Sequence, residues 1–210
     1  MTSETGPRPP QQQRSRAAME RILQAAQTLI AERGTGELTI ADVADRAGVS
    51  VGTIYSRFSG RDALITATQE RWLEQVISSQ QARYAEAAVE SDSFEDFVTG
   101  RVTEMIAGFR SEADLIREFA VRATGPAGAS GTARRMLQET FTRACDAILA
   151  HPDRSPQVSR IQISLALRAV QAVLEWRVTT KAADAPDNDW DLLAVELPRL
   201  ALSYLREAPA

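Results

Sequence analysis

The chain has 210 residues, 44% hydrophobic and 25% charged, with aromatics at only 6%. That mix suits one or two globular domains with a core mostly of Ala, Leu, Val and Ile. The net charge of −4 gives no overall sign of a nucleic-acid partner. The single cysteine, Cys145, excludes an intrachain disulfide, and no segment has the apolar length of a membrane-spanning helix, so a cytoplasmic protein with no membrane partner is expected.

Residues 1–13 are rich in Pro and Gln, lack a secretory apolar core and are expected to form a disordered tail. Helical periodicity starts near Ser15, with Ile22, Leu23, Ala26, Leu29 and Ile30 on one stripe and Gly34 placed to end it. Thr39 with Asp42 three residues on is a capping-box-like start for a helix to about Arg46. Ala47, Gly48 and Val49 form a turn, Ser50 is the next N-cap, and a second short helix is expected over 51–58. Ser59 with Asp62 opens a long helix carrying Leu64, Ile65, Trp72, Leu73, Val76 and Ile77. The next begins at Asp92 to Glu95, with Phe94, Phe97, Val98, Val102, Met105, Ile106 and Phe109 on its stripe. Ser111 and Asp114 start a shorter helix with Leu115, Ile116 and Phe119. A loop over 124–131 precedes a helix marked by Met136, Leu137, Phe141, Ala144, Cys145 and Ile148. Ser155 before Pro156 reads as an N-cap and N1 proline, opening a segment to about Lys181 that is apolar on more than one face. The last helix carries Trp190, Leu193, Leu197, Leu200, Ala201, Tyr204 and Leu205, with Pro198 expected to kink or weaken it. The reading is all-α, with about nine helices and no convincing strand.

The segment from Thr39 to Phe58 has poor helix formers in its second half, yet its apolar residues keep helical spacing. Two short helices joined by a Gly-containing turn make a helix-turn-helix. Ile40, Val43, Val49, Ile54 and Phe58 can pack inward, leaving Val51, Gly52, Thr53, Tyr55, Ser56 and Arg57 outside. A recognition helix meets bases with its N-terminal residues. Gly52 would let the backbones approach, Ser50 and Thr53 can hydrogen-bond, Val51 offers methyls to thymine, and Tyr55, Arg57 and Arg61 can reach phosphate. The charge distribution agrees in sign: residues 1–61 hold eight Arg against six Asp and Glu, and the remainder is acidic.

The stretch "LTIADVADRAGVSVGTIYSRFSGRDALI" resembles the DNA-binding head of the TetR-type family of bacterial regulators. The resemblance rests on Ala44, Ala47 to Ser50, Gly52 to Tyr55 and Phe58, with Arg61 where the family usually has Lys. It implies a three-helix DNA-binding head over 14–60, and a helical ligand-binding and dimerisation domain over 61–210. It also implies a homodimer on a palindromic operator, released by a small-molecule effector, with DNA contacts from Thr39, Ser50, Val51, Gly52, Thr53, Tyr55, Ser56, Arg57 and Arg61.

The rest of the chain supports part of this. The helices near 157–180 and 190–206 have more apolar surface than one core needs, and a dimer interface would bury it. Arg101 lies on an apolar stripe, where it either binds an effector anion or pairs with Glu104 or Glu118. Phe97, Met105, Phe109, Phe119, Phe141 and Trp176 are candidate lining of the same pocket. One His and one Cys make no Cys/His metal cluster, which leaves only a carboxylate-only metal site open, and no metal or cofactor is expected. His151 reads as a cap or surface residue. Two other readings stand beside the regulator: a helical dimer that binds protein partners with a vestigial head, and an all-α enzyme. The enzyme lacks any nucleophile–base pair or phosphate loop in the sequence.

Overall fold

The computed structural model describes residues 11–90, 93–123, 130–180 and 189–206, without the side chains of residue 11, residues 80–90 and residues 121 and 123. The described residues form nine α-helices and no strand. They are α1 (Gln11–Glu37), α2 (Ile40–Ala47), α3 (Val51–Tyr55), α4 (Arg61–Glu90), α5 (Phe94–Ser111), α6 (Ala113–Ala123), α7 (Gly131–Leu149), α8 (Arg160–Thr179) and α9 (Trp190–Arg206). The chain divides into two compact units after Trp72, so α4 begins in the first and runs into the second.

In the head, α1 packs on α2 and α2 on α3. Ile22, Ala26, Leu29 and Ile30 of α1, Val43 of α2, Ile54 of α3 and Phe58 after it are buried, as are Leu64 and Ile65 of α4. Gly34 breaks α1, at φ 82° and ψ 166°. Gln11 to Gln13 already belong to α1, and the rest of the expected tail, residues 1–10, lies outside the described residues.

In the second unit, one core joins α5, α7, α8 and α9. Val98, Val102 and Ile106 face Ile148, Ile163, Leu167, Val170 and Leu174 there, with Leu193, Leu197 and Ala201 from α9. The expected helix start at Ser155 and Pro156 is not where α8 begins. Ser159 is its N-cap, and the side chain of Gln162 returns to the Ser159 N–H in a reciprocal capping box. This box satisfies two of the N–H groups a helix start leaves open, which Ser155 cannot do from outside the helix. Ser111 likewise ends α5 instead of opening α6; its hydroxyl donates to the Gly108 carbonyl at 3.1 Å. α9 continues through Pro198, which is buried. Leu137, counted on the inner stripe of α7, is exposed. The expected loop over 124–131 lies outside the described residues up to 129, and Ser130 caps α7.

α8 and α9 are apolar on two faces. Beyond their buried stripes, α8 exposes Ile161, Leu165, Val173 and Trp176, and α9 exposes Leu192, Val195, Leu200 and Tyr204. Ile161, at 72%, is the most exposed of these.

Candidate nucleic-acid interface

α2 and α3 are short, and side chains at their starts hold them. The Thr39 hydroxyl accepts the Asp42 N–H at 3.1 Å and donates to the Asp42 carboxylate at 2.7 Å. Gly48 closes α2 in the left-handed region, at φ 63°, where a side chain would be strained; its N–H reaches back to the last turn. The Val49 N–H bonds the Ala44 carbonyl, and the chain turns into Ser50. The Ser50 hydroxyl accepts the Thr53 N–H at 3.2 Å and lies 2.8 Å from the Thr53 hydroxyl. Capping of this kind is worth about 1 kcal/mol per helix, which matters for a helix of five residues.

Buried Ile54 and Phe58 hold α3 from beneath. Outward go Val51, Gly52, Tyr55 and Ser56. Tyr55 is 57% exposed and Val51 41%, so neither serves the core. A Cβ on Gly52 would meet only the Ser50 Oγ, at 3.9 Å, and Gly52 does not have positive φ. Nothing inside the head explains a glycine there, although glycine weakens a helix by roughly 1 kcal/mol against alanine. A surface that must come close to the backbone of α3 does explain it. Thr53 is half-buried, its hydroxyl beside that of Ser50, and Ser56 donates to the Thr53 carbonyl at 2.9 Å.

The arginines are less available than their number suggests. Arg57 turns inward, with Nη1 on the Thr53 carbonyl at 3.1 Å and Nη2 on the Ser15 hydroxyl at 3.1 Å. It links the end of α3 to the start of α1 and is half-buried. Arg21 donates to the Ala47 carbonyl at the end of α2, at 3.2 Å. Arg61 donates from Nε to Leu38 at 2.7 Å and from Nη2 to Gly36 at 3.0 Å and to Thr35, all backbone carbonyls. Arg46 pairs with Glu32 at 2.8 Å across α2 and α1, and the hydrogen bond holds the Glu32 carboxyl below its ordinary value against a smaller opposing effect of burial. None of these backbone-directed bonds has a signal in sequence, because a carbonyl partner has no residue type.

In the second unit, the sequence-predicted pocket residues do not all meet. Phe97 is buried in the α5–α9 core, with Met105, Phe109 and Phe141 packed against it. Phe119 is buried on α6. Arg101 is buried, 5.1 Å over the Phe97 ring and 3.4 Å from the carboxylate of Glu104, one of the two acids weighed for it. Trp176 lies apart, 47% exposed on the outer face of α8, because the inner stripe there is taken by Val170, Leu174 and Val178. His151 packs its ring 5.0 Å from Phe97 and 5.8 Å from Phe94, and its Nδ1 accepts the Asp153 N–H at 3.3 Å. Cys145 is buried, which pushes its thiol up. No group of three His, Cys, Asp or Glu gathers among the described residues, and none of their helices is long and apolar enough to cross a membrane.

A capped helix pair on a preceding helix, with a bare-backboned second helix facing out, is a helix-turn-helix head on an all-α chain. Residues 22–68 match the family described as bacterial regulatory proteins, tetR family. The chain is 28% identical over 204 residues to the HTH-type transcriptional regulator AlkX of Mycobacterium tuberculosis, covering 95% of this chain and 81% of that one. It is 39% identical to the uncharacterised HTH-type transcriptional regulator YvdT of Bacillus subtilis over 64 residues; the match spans 30% of this chain and only 33% of that relative. The fold is shared with the transcriptional regulator FadR of Bacillus subtilis, in complex with stearoyl-CoA, at a TM-score of 0.61 and 18% identity over 88% of this chain and 98% of that one. Residues 22–68 thus match a tetR-family DNA-binding head, on a chain that is similar over most of its length to an HTH-type transcriptional regulator.

Proposed function

We propose that the chain is a repressor that binds a palindromic operator as a homodimer and is released by a small-molecule effector. The observation that carries the DNA contact is the outer face of α3, where Gly52 has no role within the head and Val51 and Tyr55 stand exposed on either side of it. With the recognition helix in the major groove, Val51 meets bases, the Gly52 backbone lies close to DNA, and Tyr55 bonds phosphate. Ser50, Thr53 and Thr39 contribute their second hydrogen-bonding capacity beside their capping bonds, and Ser56 lies at the rim. Arg57 is a weaker candidate than its charge implied, since its guanidinium is committed to Thr53 and Ser15.

A homodimer is supported by the second apolar faces of α8 and α9, which a matching pair from another copy would cover in a four-helix interface. Two heads so joined would meet half-sites a turn of DNA, or a multiple, apart. The effector site is proposed around Phe97, Arg101, Met105 and Phe109, with Phe119 and Phe141, and without Trp176. There an anionic effector would compete with Glu104 for Arg101. A ligand moves the head only if it binds the two states with different affinity.

The test is binding to the intergenic duplex flanking the gene, with a scrambled duplex as control, at two salt concentrations, and with the mass of the complex measured. Salt-sensitive preference for the flanking duplex at two chains per site is expected. A complex of one chain per duplex that does not discriminate sequence contradicts the reading.

A further inference from the structure

The geometry points to Arg61 as a positioning residue for the helix-turn-helix, which acts through the α1–α2 connection and not as a phosphate ligand. The inference rests on the DNA-binding reading above. α1 is interrupted at Gly34, and the carbonyls of its last turn, Thr35 to Glu37, and of Leu38 beyond it are those that a helix end leaves open. Arg61, the first residue of α4, turns its Nε and Nη2 edge onto three of them, those of Thr35, Gly36 and Leu38. Leu38 is buried, at 4% exposure, which fixes the far end of the same segment in the core. The next residue is Thr39, whose hydroxyl caps α2.

One guanidinium therefore holds the segment that sets where α2 begins. α2 in turn carries the turn at Gly48 and the cap at Ser50 from which α3 projects. The planar fork matters here. Its two edge nitrogens diverge enough to serve Leu38 and Gly36 at once, whereas a lysine brings a single nitrogen on a flexible stem. A phosphate ligand makes the opposite demand, because either cation serves it as a charge. The two roles are thus separable by a substitution that keeps the charge.

The experiment compares Arg61→Lys and Arg61→Ala with the wild-type chain. The probe is an operator duplex selected by the wild-type protein from a random-sequence pool, and affinity is measured across a salt series. Amide hydrogen exchange of residues 35–43 is followed in the free proteins, well below their melting temperatures. A positioning role predicts that both variants lose affinity to a similar extent, on the order of tenfold. It predicts wild-type salt slopes for both and faster exchange at residues 35–43 in both. Arg61→Lys with wild-type affinity, and Arg61→Ala with a slope lowered by about one per half-site, overturns it in favour of a phosphate contact. Unchanged exchange in Arg61→Lys overturns it as well. A wild-type chain that enriches no sequence from the pool sinks the DNA-binding reading itself. Unchanged exchange alongside intact selection sinks only the role given to Arg61.

Discussion

The head and the second unit differ in what they leave outside. The head buries most of its apolar residues and exposes a short helix of poor helix formers, with Val51 and Tyr55 outward beside a glycine that no internal contact requires. The second unit buries a full core and still exposes isoleucine, leucine, valine and tryptophan on α8 and α9. A face with exposed hydroxyls and one bare stretch of backbone suits a hydrated, charged partner such as DNA. An apolar surface suits a partner of the same kind as itself. Two surfaces of different chemistry on one chain are what the proposed dimeric DNA-binding protein would need.

The largest test of this contrast is on the apolar side. Glutamate at both Ile161 and Leu165 should leave the monomer folded, because both side chains are exposed. It should weaken self-association on the order of a hundredfold or more, since buried apolar anchors cost about 2 kcal/mol or more each when lost. Sedimentation across a concentration series reads this directly, and an unchanged dimer would place the interface elsewhere. A smaller effect is expected on the polar side. Tyr55→Ala should lower operator affinity by about tenfold, the worth of one hydrogen bond to a charged group, with an unaltered melting curve because the ring is 57% exposed. A melting curve that falls with the affinity would make Tyr55 structural.

The smallest effect concerns the ion pair of Glu32 and Arg46 inside the head. The Glu32 carboxyl is held below its ordinary value by its hydrogen bond to Arg46. Its contribution is therefore present at neutral pH and is lost as pH falls through the carboxylate range. The pair is solvent-exposed, so the gap in melting temperature between wild type and Glu32→Gln should be slight at pH 7 and closed in acid. A gap that widens in acid would reverse the assigned sign.

The head was readable in sequence because its determinants are residue types at fixed spacings. Thr39 with Asp42, Gly48 in a left-handed turn, Ser50 with Thr53, and the inward Ile54 and Phe58 all lie where spacing put them. The arginine bonds were not readable. Arg61, Arg21, Arg117 and Arg154 each donate to backbone carbonyls at or beyond a helix end, of α1, α2, α8 and α7 in turn. Such partners are made by the fold and have no side-chain signature. The same limit explains α8. Its many apolar residues showed that more than one face was apolar, but only packing against α5, α7 and α9 decided that Leu174 goes in and Trp176 stays out. α8 starts after Ser159 and not at Ser155, because the reciprocal Ser159–Gln162 box outweighs the local Ser-Pro signal.

The most direct test of the central claim, that α3 meets DNA along its bare backbone, is Gly52→Ala, read twice on the same preparation. A methyl there meets nothing closer than 3.9 Å within the chain. The head should therefore gain stability, by about 0.4–1 kcal/mol, while operator affinity falls because the methyl stands where DNA must approach. Opposite signs in the two readings are the prediction. A variant that is more stable and binds the operator as well as the wild type would contradict it.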